Sequence, residues 1–365
     1  YRRLQHVLDE RAPPLGGNFG ARVALLNHKK PLEHANALPV LNGATLARVS
    51  RVGDVNVDPT ILAGLRTVPT IEVVRPLAQL VPRDRHGYPV TTDDLADRSP
   101  SDLKRWGVLR MDVDNLGHVF RSGFRGADGD NLTLSRLASL SLAMRLFFEG
   151  VLPLLASPQG EGDVVDLRDY VYLRYAGGDD LFVVGGWDAL PRFAARIRRR
   201  FSDYVCHNPA ITLSGGVTLA DKRYPLYQAA HDAEKAEKAA KGMREKKNAF
   251  AFLSQPVGWE DFDAVMERAD KLADWLDRRG VPTSLLQTLN GIASEYARTN
   301  RDGKLFFGRW MWMLAYQLSR AAARAKDNEV KDGIVDLCNS MLTSRALMRT
   351  IGLSARWAEL LTRGR

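Results

Sequence analysis

The residues best suited to chemistry are four aspartates in two short runs. In Tyr175-Ala176-Gly177-Gly178-Asp179-Asp180-Leu181-Phe182, two adjacent carboxylates follow two glycines. Glycines permit a turn that side chains would block, so the pair is expected at its apex, where the return strand begins. Neighbouring carboxylates repel unless a cation neutralises them, and hard oxygen donors of this kind suit Mg²⁺ or Mn²⁺. The second run is Arg110-Met111-Asp112-Val113-Asp114-Asn115. Strand side chains alternate faces, so Asp112 and Asp114 share one face and Leu109, Met111 and Val113 the other. An antiparallel neighbour carrying Asp179 would gather three or four carboxylates. Asp112, Asp114, Asp179 and Asp180 then form the ligand set of a two-metal centre, with Asp112, Asp179 and Asp180 as its catalytic residues. Such a centre activates a 3′-hydroxyl, orients an α-phosphate and neutralises departing pyrophosphate. A Gly-Gly-Asp-Asp tetrapeptide alone could be an ordinary hairpin turn, and an Asp-x-Asp alone is weaker still. Their joint occurrence, each in a strand context with one long helix between, favours the metal reading.

The elements that must position these residues are legible from residue 106 onward. Gly107 to Val113 reads as a strand. Leu134 to Leu152 carries apolar residues at helical spacing, and Pro153 should end it. Tyr170 to Tyr175 and Leu181 to Gly185 read as two strands joined by a tight turn. Asp188 to Val205 is an amphipathic helix with Leu190, Phe193, Ile197, Phe201 and Tyr204 on one face. A strand over 211–219, a helix over 225–241 and a strand over 249–253 follow. This order begins with the split βαβ arrangement of ferredoxin-like folds, the arrangement of polymerase and cyclase palms. After Gln255-Pro256 only helical stripes recur, through 259–276, 285–296, 305–318 and 334–342, so residues 256–365 are expected to be an all-helical bundle. Trp310, Trp312 and Tyr316 are read there as core. Residues 1–100 form an irregular N-terminal or connecting region in which Gly16-Gly17-Asn18-Phe19-Gly20 reads as a loop. The fold class is α+β: a palm over 101–255 followed by a helical bundle.

On these residues the chain resembles the large subunit of type III, III-A-like, CRISPR effector complexes. The resemblance rests on Gly107-Val108-Leu109-Arg110-Met111-Asp112-Val113-Asp114-Asn115-Leu116-Gly117, on Leu134-Ser135-Arg136-Leu137-Ala138, on Gly177-Gly178-Asp179-Asp180-Leu181-Phe182, on Thr212-Leu213-Ser214-Gly215-Gly216-Val217 and on Lys247-Asn248-Ala249. It covers roughly residues 90–365, by judgement of pattern. It implies a palm that makes cyclic oligoadenylates from ATP on a Mg²⁺ or Mn²⁺ two-metal site when target RNA is bound. It also implies guide RNA, target RNA and the backbone and small helical subunits of the complex as partners. A more distant likeness to GGDEF diguanylate cyclases suggests further roles. Gly177 and Gly178 would line the nucleotide, Lys241 and Lys247 would clamp its triphosphate, and Ser135 would sit near the base-reading position, where a neutral hydroxyl suits adenine better than guanine. No HD nuclease domain, first palm or inter-palm cysteine zinc site of the family is expected within these residues. His231-Asp232 lies on an amphipathic helix without other ligands and reads as incidental. Two rivals remain: a GGDEF-like cyclic dinucleotide synthase using GTP, and a scaffold whose palm binds nucleotide without turning it over.

Composition sets the outer limits. With 365 residues, 45% hydrophobic and 26% charged, the chain has the material for two or three globular domains. No apolar run reaches the roughly 18 residues needed to span a bilayer, and Tyr1-Arg2-Arg3-Leu4-Gln5-His6 lacks a signal core. A chain starting on Tyr1 is expected to begin inside a longer protein. Cys206 and Cys338 form no CxxC pair, which disfavours a zinc finger and points to a reducing cytoplasm. The net charge of +9 is concentrated locally: Arg192, Arg196, Arg198, Arg199 and Arg200 on one helix, and Lys235, Lys238, Lys241, Arg244, Lys246 and Lys247 on another segment. Singly, each reads as a solvated face; together, beside a phosphate site, they favour nucleotide or nucleic acid. In the tail, Arg298, Arg301, Arg309, Arg320 and Arg324 suit docking along RNA or against a helical subunit.

Overall fold

The computed structural model describes residues 47–52, 70–75, 80–99, 102–126, 129–130, 132–158, 166–245, 247–300 and 307–363. The chain divides into two compact units, residues 1–77 and 78–365. Of the first, the described part is a parallel pair, β1 (Ala47–Val52) and β2 (Thr70–Arg75). The loop proposed at Gly16–Gly20 and residues Arg301 and Lys246 lie outside the described residues.

The second unit opens with a short helix, α1 (Thr92–Asp97), capped at both backbone and side chain by a Thr91–Asp94 box. Strand β3 (Trp106–Val113) follows, then α2 (Leu116–Ser122), a two-residue pair β4 (Arg125–Gly126) and β5 (Gly129–Asp130), and α3 (Leu134–Arg145). The helical path continues past α3 as a π-helical turn over Leu146–Val151 and a 3₁₀ turn over Leu152–Ala156. Pro153 sits inside that last turn instead of ending the helix, because an N-terminal turn position needs no amide hydrogen. The whole run, Leu134–Ala156, is 23 residues long and apolar enough by length and composition to cross a membrane, which departs from the expectation that no such run exists. Phe147, Phe148, Leu152, Leu155 and Ala156 from its second half are fully buried in the core of this protein.

Strands β6 (Val171–Gly177) and β7 (Asp180–Gly186), helix α4 (Ala189–Tyr204), strand β8 (Leu213–Ala220), helix α5 (Leu226–Gly242) and strands β9 (Ala249–Phe252) and β10 (Gln255–Gly258) complete the palm. The six-stranded sheet runs β10-β9-β8-β3-β7-β6. Its inner part, β8-β3-β7-β6, is antiparallel throughout, and β9 joins β8 in parallel. With α3 and α4 as the two crossover helices, this is the ferredoxin-like palm expected from the element order. Alternation sorts the side chains. Leu109, Met111, Val113, Leu181 and Val183 face the large core with Phe193, Ile197 and Phe201 of α4. Trp106, Val108 and Val184 face the other side, against Leu95 of α1 and Ala229 and Ala233 of α5.

Helices α6 (Trp259–Arg278), α7 (Ser284–Thr299), α8 (Arg309–Arg324), α9 (Asn328–Thr343) and α10 (Arg345–Leu361) form the helical tail. Its first and last helices are continuous with the palm core: Trp259, Phe262, Val265 and Ala269 of α6 and Leu353 and Trp357 of α10 join the cluster under the sheet, so the core crosses residue 256 unbroken. Arg192 of α4 forks onto Asp270 of α6 at 2.5 and 2.9 Å across the same contact. A second cluster, holding Trp275, Leu289, Tyr296, Trp310 and Ile351, belongs to the tail alone. Trp310 is fully buried as expected, whereas Trp312 is 80% and Tyr316 61% exposed. Two positions apart on a helix is some 200° of rotation, so Trp312 cannot share the buried face of Trp310.

Candidate active site

The carboxylates meet at one end of the central strands. β6 and β7 are joined by the two residues Gly178 and Asp179, with Gly177 opposite Asp180. Gly178 has φ +72°, and Asp179 is absent from the positive-φ residues. A positive φ at the first turn position alone is the pattern of a II′ hairpin turn, which demands glycine there. The register sets Asp180 directly across from Asp112 on β3, and Asp112 across from Ser214 on β8. Val113 donates its amide to the Asp179 carbonyl at 3.0 Å. Asp112 and Asp180 thus share a face as neighbours on adjacent strands, as the strand alternation requires, with Asp179 beside them at the hairpin tip.

Their electrostatics follow from crowding. Partial burial, then the charges of Asp112 and Asp180, raise the Asp179 carboxyl above its ordinary pKa. Burial and the charge of Asp112 raise Asp180 likewise, against a lowering influence from Arg110. The Asp180 charge in turn holds the Tyr175 phenol above its usual range. Among the described residues, the direct cationic contact of this set is Lys241, whose ammonium bonds Asp112 Oδ2 and, at 2.9 Å, Glu237 Oε1 one helical turn earlier. Burial opposes the charge on Lys241, but the bonds to Asp112 and Glu237 outweigh it and its pKa is raised. Arg110 approaches Glu237 at 3.5 Å and Glu234 at 3.8 Å.

One glycine of β8 lets α5 reach this end. A Cβ on Gly216 would lie 2.6 Å from the backbone and Cβ of Ala236. Only glycine lets the helix lie so close to β8, and that closeness carries Glu237 and Lys241 to Asp112. Pairing within α5 absorbs most of the basic segment: Lys235 with Asp232, Lys238 with Glu234, and beyond the helix Arg244 with Glu260 at 2.5 Å. Two of the α4 arginines are similarly engaged, Arg192 with Asp270 and buried Arg196 with the carbonyls of Leu155 and Ser157. His231 and Asp232 pair locally with Glu234, Tyr224 and Lys235.

Asp114 lies just beyond β3 and is fully buried. One oxygen, Oδ2, accepts from Thr212 Oγ1 at 2.8 Å, Ser214 Oγ at 2.8 Å and the Asn248 amide at 3.1 Å. The other, Oδ1, is buried without a hydrogen-bond partner. Lys247 and Asn248 hold positive φ values of +52° and +51°, a conformation costly for side-chain-bearing residues and tolerated where surrounding bonds over-determine it. The bond to Asp114 is one of those restraints. Among the described residues, no three Asp, Glu, His or Cys side chains already converge as a metal cage. The geometry says why: Asp112 is turned to Lys241 and Asp114 to the 247–248 loop. Ser135 sits on the exposed first turn of α3, 3.1 Å from the Oγ1 of its N-cap neighbour Thr133, and has no part in the contacts just described. Glu237, Arg110, Ser214 and Asn248 are members of the site that the sequence reading missed. The i,i+4 spacing of Glu237 and Lys241 was the available signal for the first.

Over residues 105–251 the chain matches the family "Cas10/Cmr2, second palm domain". Among curated proteins it is 36% identical over 183 residues to "CRISPR system single-strand-specific deoxyribonuclease Cas10/Csm1 (subtype III-A)" of Methanocaldococcus jannaschii, a match covering 46% of this chain and 22% of that protein. It is 31% identical over 225 residues to the protein of the same name from Mycobacterium tuberculosis, covering 59% and 27%. The match therefore spans about a quarter of the length of these relatives. Among solved structures it resembles Csm1 in T. onnurineus, with a TM-score of 0.61, 22% identity and coverage of 87% of this chain and 45% of that one. It also resembles the Csm1–Csm4 cassette in complex with cA4, with a TM-score of 0.60, 21% identity and coverage of 89% and 45%.

Proposed function

We propose, from the premise that this chain belongs to the type III-A CRISPR large-subunit family through its Cas10/Cmr2 second palm, that it is a nucleotidyltransferase joining ATP into cyclic oligoadenylates. The observation that carries the reading is the register that sets Asp180 across from Asp112 with Asp179 at the adjoining hairpin tip.

The donor set suits a hard divalent cation. Asp112, Asp179 and Asp180 offer only oxygen, and partial burial followed by their mutual repulsion raises the pKa of Asp179 and Asp180. Asp114 adds a buried oxygen with no partner. Mg²⁺ or Mn²⁺ held by Asp112, Asp179 and Asp180, with Asp114 at the edge of the set, would supply charge neutralisation at the α-phosphate and at the leaving pyrophosphate. The remaining work belongs to the chain itself. At the hairpin tip Gly178, with nothing within 4 Å of where a Cβ would stand, admits the nucleotide close to the backbone, and Gly177 precedes it. Lys241, released from Asp112, places an ammonium against phosphate oxygens, and Lys247, which has no ion-pair partner among the described residues, adds a second from the facing loop. Ser135 is the proposed neighbour of the base. In each cycle a 3′-hydroxyl gives up its proton to water as its oxygen bonds an α-phosphorus, the bond to the bridging oxygen breaks, and pyrophosphate leaves.

Guide RNA, target RNA and backbone and small helical subunits are the proposed partners, and the cytoplasm the proposed compartment. The solved relatives bound to ATP and to cA4 support the substrate and product. Incubation with Mg²⁺, cognate RNA and either ATP or GTP, followed by mass spectrometry, tests the reading. Cyclic adenylates from ATP are expected. Cyclic dinucleotides from GTP would point to a GGDEF-like synthase, and nucleotide bound without turnover to a scaffold.

A further inference from the structure

Helix α8 exposes a stripe at four-residue spacing: Trp312, Tyr316, Arg320 and Arg324. Residues four apart share one face of a helix, and at 1.5 Å per residue the stripe runs about 18 Å. Trp312 is 80% and Tyr316 61% exposed, a large cost in solvent-facing aromatic surface. Arg320 stacks on the Tyr316 ring at 5.3 Å and donates to its hydroxyl at 2.8 Å. Neither Arg320 nor Arg324 has a carboxylate partner among the described residues. Tyr316, Arg320 and Arg324, but not Trp312, line a cavity of about 510 Å³ whose apolar lining includes Leu285. Among the described residues of its wall the one carboxylate, Asp327, is spent on Arg279 and on capping α9. Two aromatic planes one turn apart, followed by two cations without counter-charges, fit stacked bases and the phosphates that join them. A plain solvated helix face would carry the arginines but not the exposed tryptophan and tyrosine. An acidic protein partner would use the arginines and leave the aromatic pair without a role.

We propose that this stripe is a binding site for single-stranded RNA, two bases stacking on Trp312 and Tyr316 and the adjoining phosphates pairing with Arg320 and Arg324. The choice of RNA rests on the function proposed above; the single-strand preference rests on the stripe.

The test is binding of a fluorescent 12-nucleotide RNA to the full chain by anisotropy over a range of salt. Removing both arginines (Arg320→Ala with Arg324→Ala) should flatten the dependence of log K on log salt by about 1.4, two phosphates at about 0.7 each. Removing both aromatics (Trp312→Ala with Tyr316→Ala) should weaken binding about tenfold or more with the salt slope unchanged. Trp312→Phe with Tyr316→Phe should restore most of it. Because these side chains are exposed, thermal melting of the variants should match the wild type. RNA binding, with or without equal binding of DNA, supports the site. Binding of DNA alone, variants that bind RNA like the wild type, or competition by polyglutamate as strong as by RNA would overturn it. The variant Asp179→Asn with Asp180→Asn separates the two readings: it should bind RNA normally while forming no product, whereas a failed stripe leaves product formation by the wild type untouched.

Discussion

Gly216→Ala is the sharpest perturbation of the link between fold and site. The new methyl would sit 2.6 Å from Ala236, about 0.8 Å short of the 3.4 Å at which ordinary van der Waals contact begins. The neighbour is helix backbone on one side and a paired strand on the other, so neither gives locally and α5 must lift. Overpacking of this kind costs about 1–3 kcal/mol. At roughly 2–4 °C per kcal/mol for a domain of this size, the melting midpoint should fall about 2–12 °C. The lift also withdraws Lys241 and Glu237 from Asp112. A misplacement near 1 Å at a reacting centre can cost on the order of 10²-fold, so turnover should fall at least tenfold. Gly291→Ala is the matched control. It lies within α7 with nothing inside 4 Å of the added methyl and should stabilise by roughly 0.5–1 kcal/mol. Differential scanning fluorimetry and a nucleotide turnover assay read both variants. If Gly216→Ala melts and turns over like the wild type, close helix–strand contact does not seat Lys241, and the argument built on it fails.

Further expectations concern charge. Replacing Asp179 and Asp180 together with alanine should abolish product while leaving the melting midpoint equal or higher, since the change removes repelling charge at a hairpin tip; full activity would remove the metal assignment. Asp112→Asn should depress turnover far more than Lys238→Ala, whose ammonium pairs with Glu234 on an open helix face; equal effects would mean that the strand face is misassigned. Asp188 has a buried Oδ1 without a partner, and burial raises its carboxyl above the ordinary range. The folded state therefore holds that proton more tightly than the unfolded chain, and the group's contribution to stability falls as pH rises from the unfolded pKa through the folded one. Asp188→Asn should be at least as stable as the wild type at pH 7 in urea denaturation, with the advantage shrinking toward pH 4; a loss of stability that persists at every pH would show that the charge is compensated.

The palm was legible because its elements carry strong local signals. Alternation through Leu109, Met111 and Val113 marked β3 and its core face, the double glycine marked the hairpin, and the apolar stripe of α4 marked its crossover. These same signals placed Asp112, Asp179 and Asp180 together. Asp114 shares the parity of Asp112, but parity could not reveal that the strand ends at Val113 or that Thr212, Ser214 and Asn248 would claim its carboxylate. Those partners come from β8, from the residue just before it and from a loop more than 130 residues away, beyond any local pattern. Lys241 was read as a phosphate clamp; that it would pair with Asp112 depends on the closeness that Gly216 permits, a property of packing. In the tail, helical periodicity found four helices and missed α10, whose apolar residues serve two cores at once and so blur into no single stripe. Trp312 and Tyr316 were taken for core because aromatic content was weighed without their angular position relative to Trp310.

The central claim is nucleotidyl transfer at the Asp112–Asp179–Asp180 end of the sheet. The most direct measurement is the phosphate released per ATP consumed, with Mg²⁺ and cognate RNA present and the chain at full length. Ring closure forms one linkage for each ATP, so the account predicts pyrophosphate and consumed ATP in a ratio near one, with no orthophosphate, and neither in the Asp179→Asn with Asp180→Asn variant. Orthophosphate as the released product, or pyrophosphate release that survives in that variant, would contradict it.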